Sequence, residues 1–188
     1  MSSLELSDEH KKTLLAIARE TIESAVNGEK LPEFNIKDPV LNTECGAFVT
    51  IHKHGNLRGC IGNVIGQQPL WKTVMKMAVE ASLHDPRFSP VSTSEIKDID
   101  IEISVLSPFE KITDTNQIEV GKHGLFIKQG FYQGLLLPQV ATEYGWDRIQ
   151  FLEHTCMKAG LYSDCYRKKN CEIFIFSATV FSRKDLDE

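Results

Sequence analysis

The run Leu57-Arg58-Gly59-Cys60-Ile61-Gly62 places a guanidinium, a thiol and two glycines side by side. A thiolate is a nucleophile and a soft ligand, and a neighbouring cation favours it over the thiol. Arg58 would lower the Cys60 pKa if its head group turned toward the sulfur, and would otherwise serve as an anchor for an anion. Gly59 and Gly62 permit positive φ, which would expose the thiol or point successive N–H groups into an anion-binding nest. Candidate bases are His52, His54, His84 and His123, and spacing alone does not choose among them. The competing reading makes Cys60 a small packed residue at a tight turn, with both glycines serving the backbone.

Three other clusters carry polar chemistry. His52 and His54 lie two apart and could share a strand face, but two ligands do not make a metal site, and no metal is assigned. His84-Asp85-Pro86-Arg87-Phe88 sets an imidazole, a carboxylate and a guanidinium on one stiff loop. There Arg87 either holds a small anionic ligand or pairs with Asp85 to fix the turn, while His84 neutralises a helix C-terminus. Lys122-His123-Gly124 is a basic step in a glycine-flanked strand, where a bulge or a close-approaching group is expected.

The elements that must position these groups follow from pattern. Ser7 caps a helix whose apolar residues Leu14, Leu15, Ala18, Ile22 and Ala25 recur at helical spacing until Asn27-Gly28. Ala47 to His52 is β-branched and aromatic, and His54-Gly55-Asn56 turns it into a second arm that runs into the cysteine segment. Pro69 opens a second helix that stops near His84. Ile99, Ile101, Ile103 and Val105 alternate with polar residues in a strand that has one wet face. Residues 120–127 and 132–137 form a second hairpin around Gly130, and two short helices follow, stopped by Gly145 and Gly160. Ile173 to Phe181 reads as one long buried strand, with a frayed tail over residues 182–188. The order predicts an α+β fold, a mainly antiparallel sheet with helices packed on it.

Composition narrows the function classes. The formal net charge of −5 offers no general field for phosphates, which disfavours nucleic acid despite the run Arg167-Lys168-Lys169. No apolar run approaches the roughly 18 residues needed to cross a bilayer, and the expectation is a cytoplasmic protein without membrane partners. The 5 cysteines show no paired spacing, so neither a disulfide framework nor a zinc ribbon is expected, and Cys156 reads as a free core thiol.

Several blocks in fixed order resemble the AMMECR family, whose microbial members are also called AmmeMemoRadiSam system protein A. They are residues 46–50, the Leu57–Gly62 signature, Asp85-Pro86-Arg87-Phe88, residues 120–125, and residues 135–141 with Tyr144-Gly145-Trp146. The likeness covers nearly all of residues 1–188 and implies a single AMMECR-type domain with a larger and a smaller lobe and a cleft near the signature. It implies no settled activity and no known cofactor. Partners implied by the likeness are a Memo-like protein and a radical S-adenosylmethionine enzyme. An enzyme or enzyme component would use Cys60, with His84 or His123 as acid–base partner, and Arg58, Gly59, Gly62, Arg87 and Lys122 as ligand contacts. The alternatives are a non-catalytic adaptor and, third, a nucleic-acid-associated regulator.

Overall fold

A computed structural model describes residues 4–186. The elements in chain order are α1 (Asp8–Val26), β1 (Ala47–Lys53), β2 (Asn56–Asn63), α2 (Leu70–Leu83), β3 (Ile99–Leu106), β4 (Glu110–Ile112), β5 (Gly124–Gln129), β6 (Tyr132–Leu136), α3 (Pro138–Glu143), α4 (Arg148–Lys158), β7 (Glu172–Phe176) and β8 (Ala178–Ser182). They form two compact units, residues 4–106 with 179–186, and residues 107–178. The fold is α+β with two four-stranded sheets, and the strand pairings resolved within them are antiparallel.

In the first unit the strand order is β2-β1-β3-β8. The Ser7 hydroxyl accepts from the His10 N–H while the Ser7 N–H donates to the His10 ring, so α1 starts on a reciprocal cap. Strand alternation then decides the core. Ala47, Val49 and Ile51 are fully buried together with Leu14, Ala18, Leu70, Val74 and Ala78 of the two helices. The opposite face of the sheet carries Thr50 and Cys60, which are register partners. His54 and Gly55, with φ of 50° and 79°, make the two-residue turn between β1 and β2. Two consecutive left-handed residues suit the strand twist there, which accounts for the sequence signal.

In the second unit the order is β4-β7-β5-β6. Leu125 and Ile127 of β5 and Ile173 and Ile175 of β7 are buried with Phe151, Leu152 and Cys156 of α4. The Asp147 carboxylate accepts from the Gln150 N–H, and the Gln150 side chain answers at the Asp147 N–H, a second reciprocal cap.

Three expectations require correction. The apolar run Ile173 to Phe181 is two strands broken at Ser177, β7 in one sheet and β8 in the other. At the break Ser107 donates its N–H to the Ser177 carbonyl, and Ser177 donates to the Ser107 hydroxyl. Residues 120–123 are a turn rather than strand, with Gly121 at φ 87° and the His123 ring accepting from the Glu119 N–H. Cys156 is buried but not free, because it forms a disulfide with Cys165. Of the tail from Ser182, Ser182 ends β8 and residues 184–186 form a 3-10 turn, while residues 187–188 lie outside the described residues.

Candidate functional site

Cys60 sits on β2, at the edge of its sheet, and the local geometry follows from that position. Its N–H donates to the Asp85 carboxylate at 2.9 Å, away from β1. Thr50 and Cys60 are therefore a non-hydrogen-bonded antiparallel pair, the kind whose side chains approach most closely. The Thr50 hydroxyl accordingly donates to the Cys60 sulfur at 3.2 Å.

An edge strand leaves alternate N–H and C=O groups without a ladder partner. At Cys60 both are satisfied by one ion pair. Asp85 accepts from the N–H, and Arg87 Nη2 donates to the carbonyl at 3.1 Å. The pair itself is bidentate, with Arg87 Nε and Nη2 at 3.0 and 2.7 Å from the two Asp85 oxygens. The Arg87 N–H also donates to Asp85, which closes the loop on itself. Arg87, with help from the Cys60 and Arg87 N–H groups, holds the Asp85 carboxyl well below the usual carboxylate range against the opposing effect of burial. The Asp85 side chain is 2% exposed and that of Arg87 55%. Asp85 and Arg87 thus stand in for a further strand along one residue of β2.

Arg58 does not reach the thiol. The register of β1 and β2 runs from Ile51–Gly59 to His52–Leu57 and skips Arg58, so a bulge re-aims its side chain. Its Nε and Nη2 fork onto Glu95 at 3.1 Å each, and Nη1 and Nη2 donate to the carbonyls of Ser89 and Pro90. Lys53 adds a second cation to Glu95 at 2.9 Å, and the Ser92 N–H and hydroxyl donate to the same carboxylate. Arg58 first, then the Ser92 N–H and Lys53, hold the Glu95 carboxyl far below its ordinary value. Arg58 is thus committed to fastening the 89–95 segment to β2. An anion anchor would need that guanidinium released.

The two glycines have a steric rather than a conformational reason. Neither has positive φ among the described residues. Gly59 partners Ile51 on the core face, and a Cβ there would collide with the carbonyl oxygen of Ala81 in α2. Gly62 partners Phe48, whose ring occupies the space a Cβ would take. Close approach of helix and ring, not a left-handed turn, selects glycine at both positions.

The remaining sequence candidates are distributed. His84 caps α2 and faces Glu80 one turn back at 3.3 Å, with its side chain 57% exposed. His54 lies in the β1–β2 turn at positive φ while His52 lies in β1, so the two do not line up as alternating strand residues. Among the described residues no three His, Cys, Asp or Glu side chains gather as a ligand set. Lys122 and His123 belong to the second unit, where Lys122 pairs with Glu119 and His123 closes the same turn. Among the other free thiols, burial pushes Cys45 up to about 11, and burial also raises Cys171. Cys60 is half-buried.

Thr50 and Glu95 were not singled out by sequence. Thr50 carried only strand propensity, and Glu95 lies 37 residues from Arg58 with no local signal of pairing. The first unit also holds a cleft of about 660 Å³ lined in part by His52, Asp100, Glu102 and Lys184. Glu102 is the β3 register partner of Thr50, so thiol, hydroxyl and carboxylate occupy one row across β2, β1 and β3.

This α+β architecture is that of a defined family. The AMMECR1 family model matches residues 15–181, and the chain belongs to that family. It is 44% identical to a protein of Methanosarcina barkeri over 96% of this chain and 93% of that protein. It is also 44% identical to a protein of Methanothermobacter thermautotrophicus, over 94% and 95% respectively. The crystal structure of an uncharacterized protein from Pyrococcus horikoshii superposes with a TM-score of 0.82 at 37% identity, covering 94% of this chain and 93% of that one. The names of these relatives carry no activity. No helix among the described residues is long and apolar enough to cross a membrane.

Proposed function

We propose that the protein is a cytoplasmic enzyme or enzyme component whose reactive group is the Cys60 thiol. One observation carries this reading. The main chain of Cys60, a half-buried residue, is held at both N–H and C=O by the Asp85–Arg87 pair, while its sulfur receives a hydroxyl donor from Thr50. A nucleophile fixed by its backbone on a residue that is not fully buried is pre-organised for attack. The Thr50 hydroxyl stabilises negative charge on sulfur as it develops. His84, one residue before Asp85, is the acid–base candidate within the same unit, and a small anionic compound is the ligand class offered by Arg87, whose side chain is half exposed.

The test is alkylation of the folded protein with iodoacetamide across pH, read by peptide mass spectrometry. Cys60 is expected to react first and Cys45 last, since a thiol titrating near 11 has little thiolate at neutral pH. A Cys60 thiol that stays inert until the protein unfolds would sink the proposal.

A second reading rests on the rigidity of the same edge. Arg58, Glu95, Asp85 and Arg87 hold β2 and the 85–95 segment as one surface, on which Leu57 is 42% exposed. As a non-catalytic adaptor, this surface would dock the Memo-like or radical S-adenosylmethionine partner that the family likeness implies. Capture of such a partner that survives Cys60→Ser and fails with Leu57→Glu favours the adaptor, and the reverse pattern favours the enzyme.

A further inference from the structure

The second unit contains a sulfur cluster that the Cys60 site does not use. Cys156 of α4 and Cys165 are joined by the disulfide, and both are sequestered, at 0% and 1% exposure. Cys171 is a free, half-buried thiol whose sulfur lies 3.8 Å from that of Cys165, six residues away in sequence. The Cys171 N–H donates to the Lys168 carbonyl, and the Lys168 N–H donates to the Cys165 carbonyl, so a turn of main chain holds the two sulfurs together. A disulfide exchanges by attack of a thiolate on one of its sulfurs, and the rate depends on access. A thiol from solvent has no direct access to either sulfur of the bridge. Cys171 is already in contact with one of them.

We propose that Cys171, Cys165 and Cys156 form a thiol–disulfide exchange site, with Cys171 as the gate through which small thiols reach the buried bridge. In the first step the Cys171 thiol loses its proton and its sulfur attacks the Cys165 sulfur. The Cys165–Cys171 bond forms, the Cys156–Cys165 bond breaks, and the electron pair leaves on the Cys156 sulfur, which takes up a proton. This step is an isomerisation and requires no oxidant. In the second step the thiolate of a low-molecular-weight thiol attacks the accessible Cys171 sulfur and releases Cys165 as a thiolate. The thiolate of a second molecule of that thiol then attacks the first molecule's sulfur in the mixed disulfide, and Cys171 leaves as a thiolate and takes up a proton. Two small thiols become one small disulfide, and the protein gains two electrons and two protons. Run backwards, a small disulfide enters at Cys171 and the bridge re-forms inward.

Burial and the adjoining Glu172 hold the Cys171 thiol up, while Lys168 opposes them, so exchange accelerates as pH rises. Tyr166, from the same turn, also packs against this core, with Arg167 beside it, and His154 of α4 stacks on Trp146 at its margin.

The experiment exposes the oxidised full chain to reduced glutathione, quenches with acid, alkylates, and assigns disulfides and adducts by non-reducing peptide mass spectrometry. Expected are a Cys165–Cys171 linked peptide at early times, a first glutathione adduct at Cys171, and opening slowed at least tenfold in Cys171→Ser. Wild-type protein alkylated at Cys171 beforehand provides the same blockade without a substitution, and decides the matter if the variant folds poorly. Equal opening rates with Cys171 blocked, or a first adduct at Cys156 or Cys165, would overturn the proposal.

Discussion

Removing the Asp85 carboxylate tests whether the ion pair replaces a strand at Cys60. In Asp85→Ala, the Cys60 N–H loses its acceptor and Arg87 loses both oxygens of its fork. A hydrogen bond to a charged group contributes about 1.5–3 kcal/mol when one partner is deleted. The Arg87 contribution must be discounted, because a guanidinium with 55% of its side-chain surface exposed regains water when unpaired. The Cys60 bond then dominates, and the expected loss is about 2–3 kcal/mol, or about 4–12 °C in thermal midpoint for a chain of this length. Asp85→Asn keeps one acceptor oxygen and should lose about half as much. The pH dependence fixes the sign. Asp85 has a folded pKa below its ordinary value near 3.8, so the unfolded chain binds the proton first as pH falls. The carboxylate's contribution is complete above that ordinary value and declines below it, so wild type and Asp85→Asn should converge in stability as pH falls below about 4. Urea unfolding followed by circular dichroism at pH 7 and at pH 3 measures both effects. A loss under about 0.5 kcal/mol at pH 7, within the range of ordinary surface substitutions, would refute the reasoning.

Two more substitutions probe the same edge. Arg58→Ala and Glu95→Ala should each destabilise, and the double variant should lose less than their sum by about 1–2 kcal/mol, because a forked pair with 14% and 16% exposed side chains acts as a unit; additive losses in urea unfolding would show the fork to be incidental. Gly59→Ala should destabilise by about 1–3 kcal/mol through the collision with the Ala81 carbonyl, despite the gain that alanine brings by restricting the unfolded chain. Calorimetry reads the outcome, and an unchanged or raised midpoint would mean that α2 yields at no cost.

Local chemistry was legible, and pairing across distance was not. Ser7 and Asn27-Gly28 bracket α1 because caps act within a turn of their helix. The His54-Gly55 turn was visible because consecutive left-handed residues demand such types. The break at Ser177 was hidden inside a largely apolar run, since residue types on both sides suit a strand and periodicity does not register a change of sheet. What makes the break is Ser107, 70 residues earlier. The Cys156–Cys165 bridge left no trace in spacing, because the pairing of cysteines is decided by tertiary proximity.

The glycines illustrate a subtler failure. Glycine beside a candidate nucleophile invites the idea of an unusual φ, and the sequence alone does not choose between that and a packing role. Register supplies it. Gly59 falls on the core face opposite Ile51, and Gly62 falls opposite Phe48 on the face that also carries Cys60. One glycine lets a helix backbone in and the other lets an aromatic ring lie flat, so both are absorbed by packing. Arg58 is held by Glu95, and Asp85 is held by Arg87 and the N–H of Cys60. In this segment the thiol, on a half-buried residue, carries a hydroxyl donor from Thr50 and lies in the field of Arg87, which is why attention narrows from residues 57–62 to one sulfur.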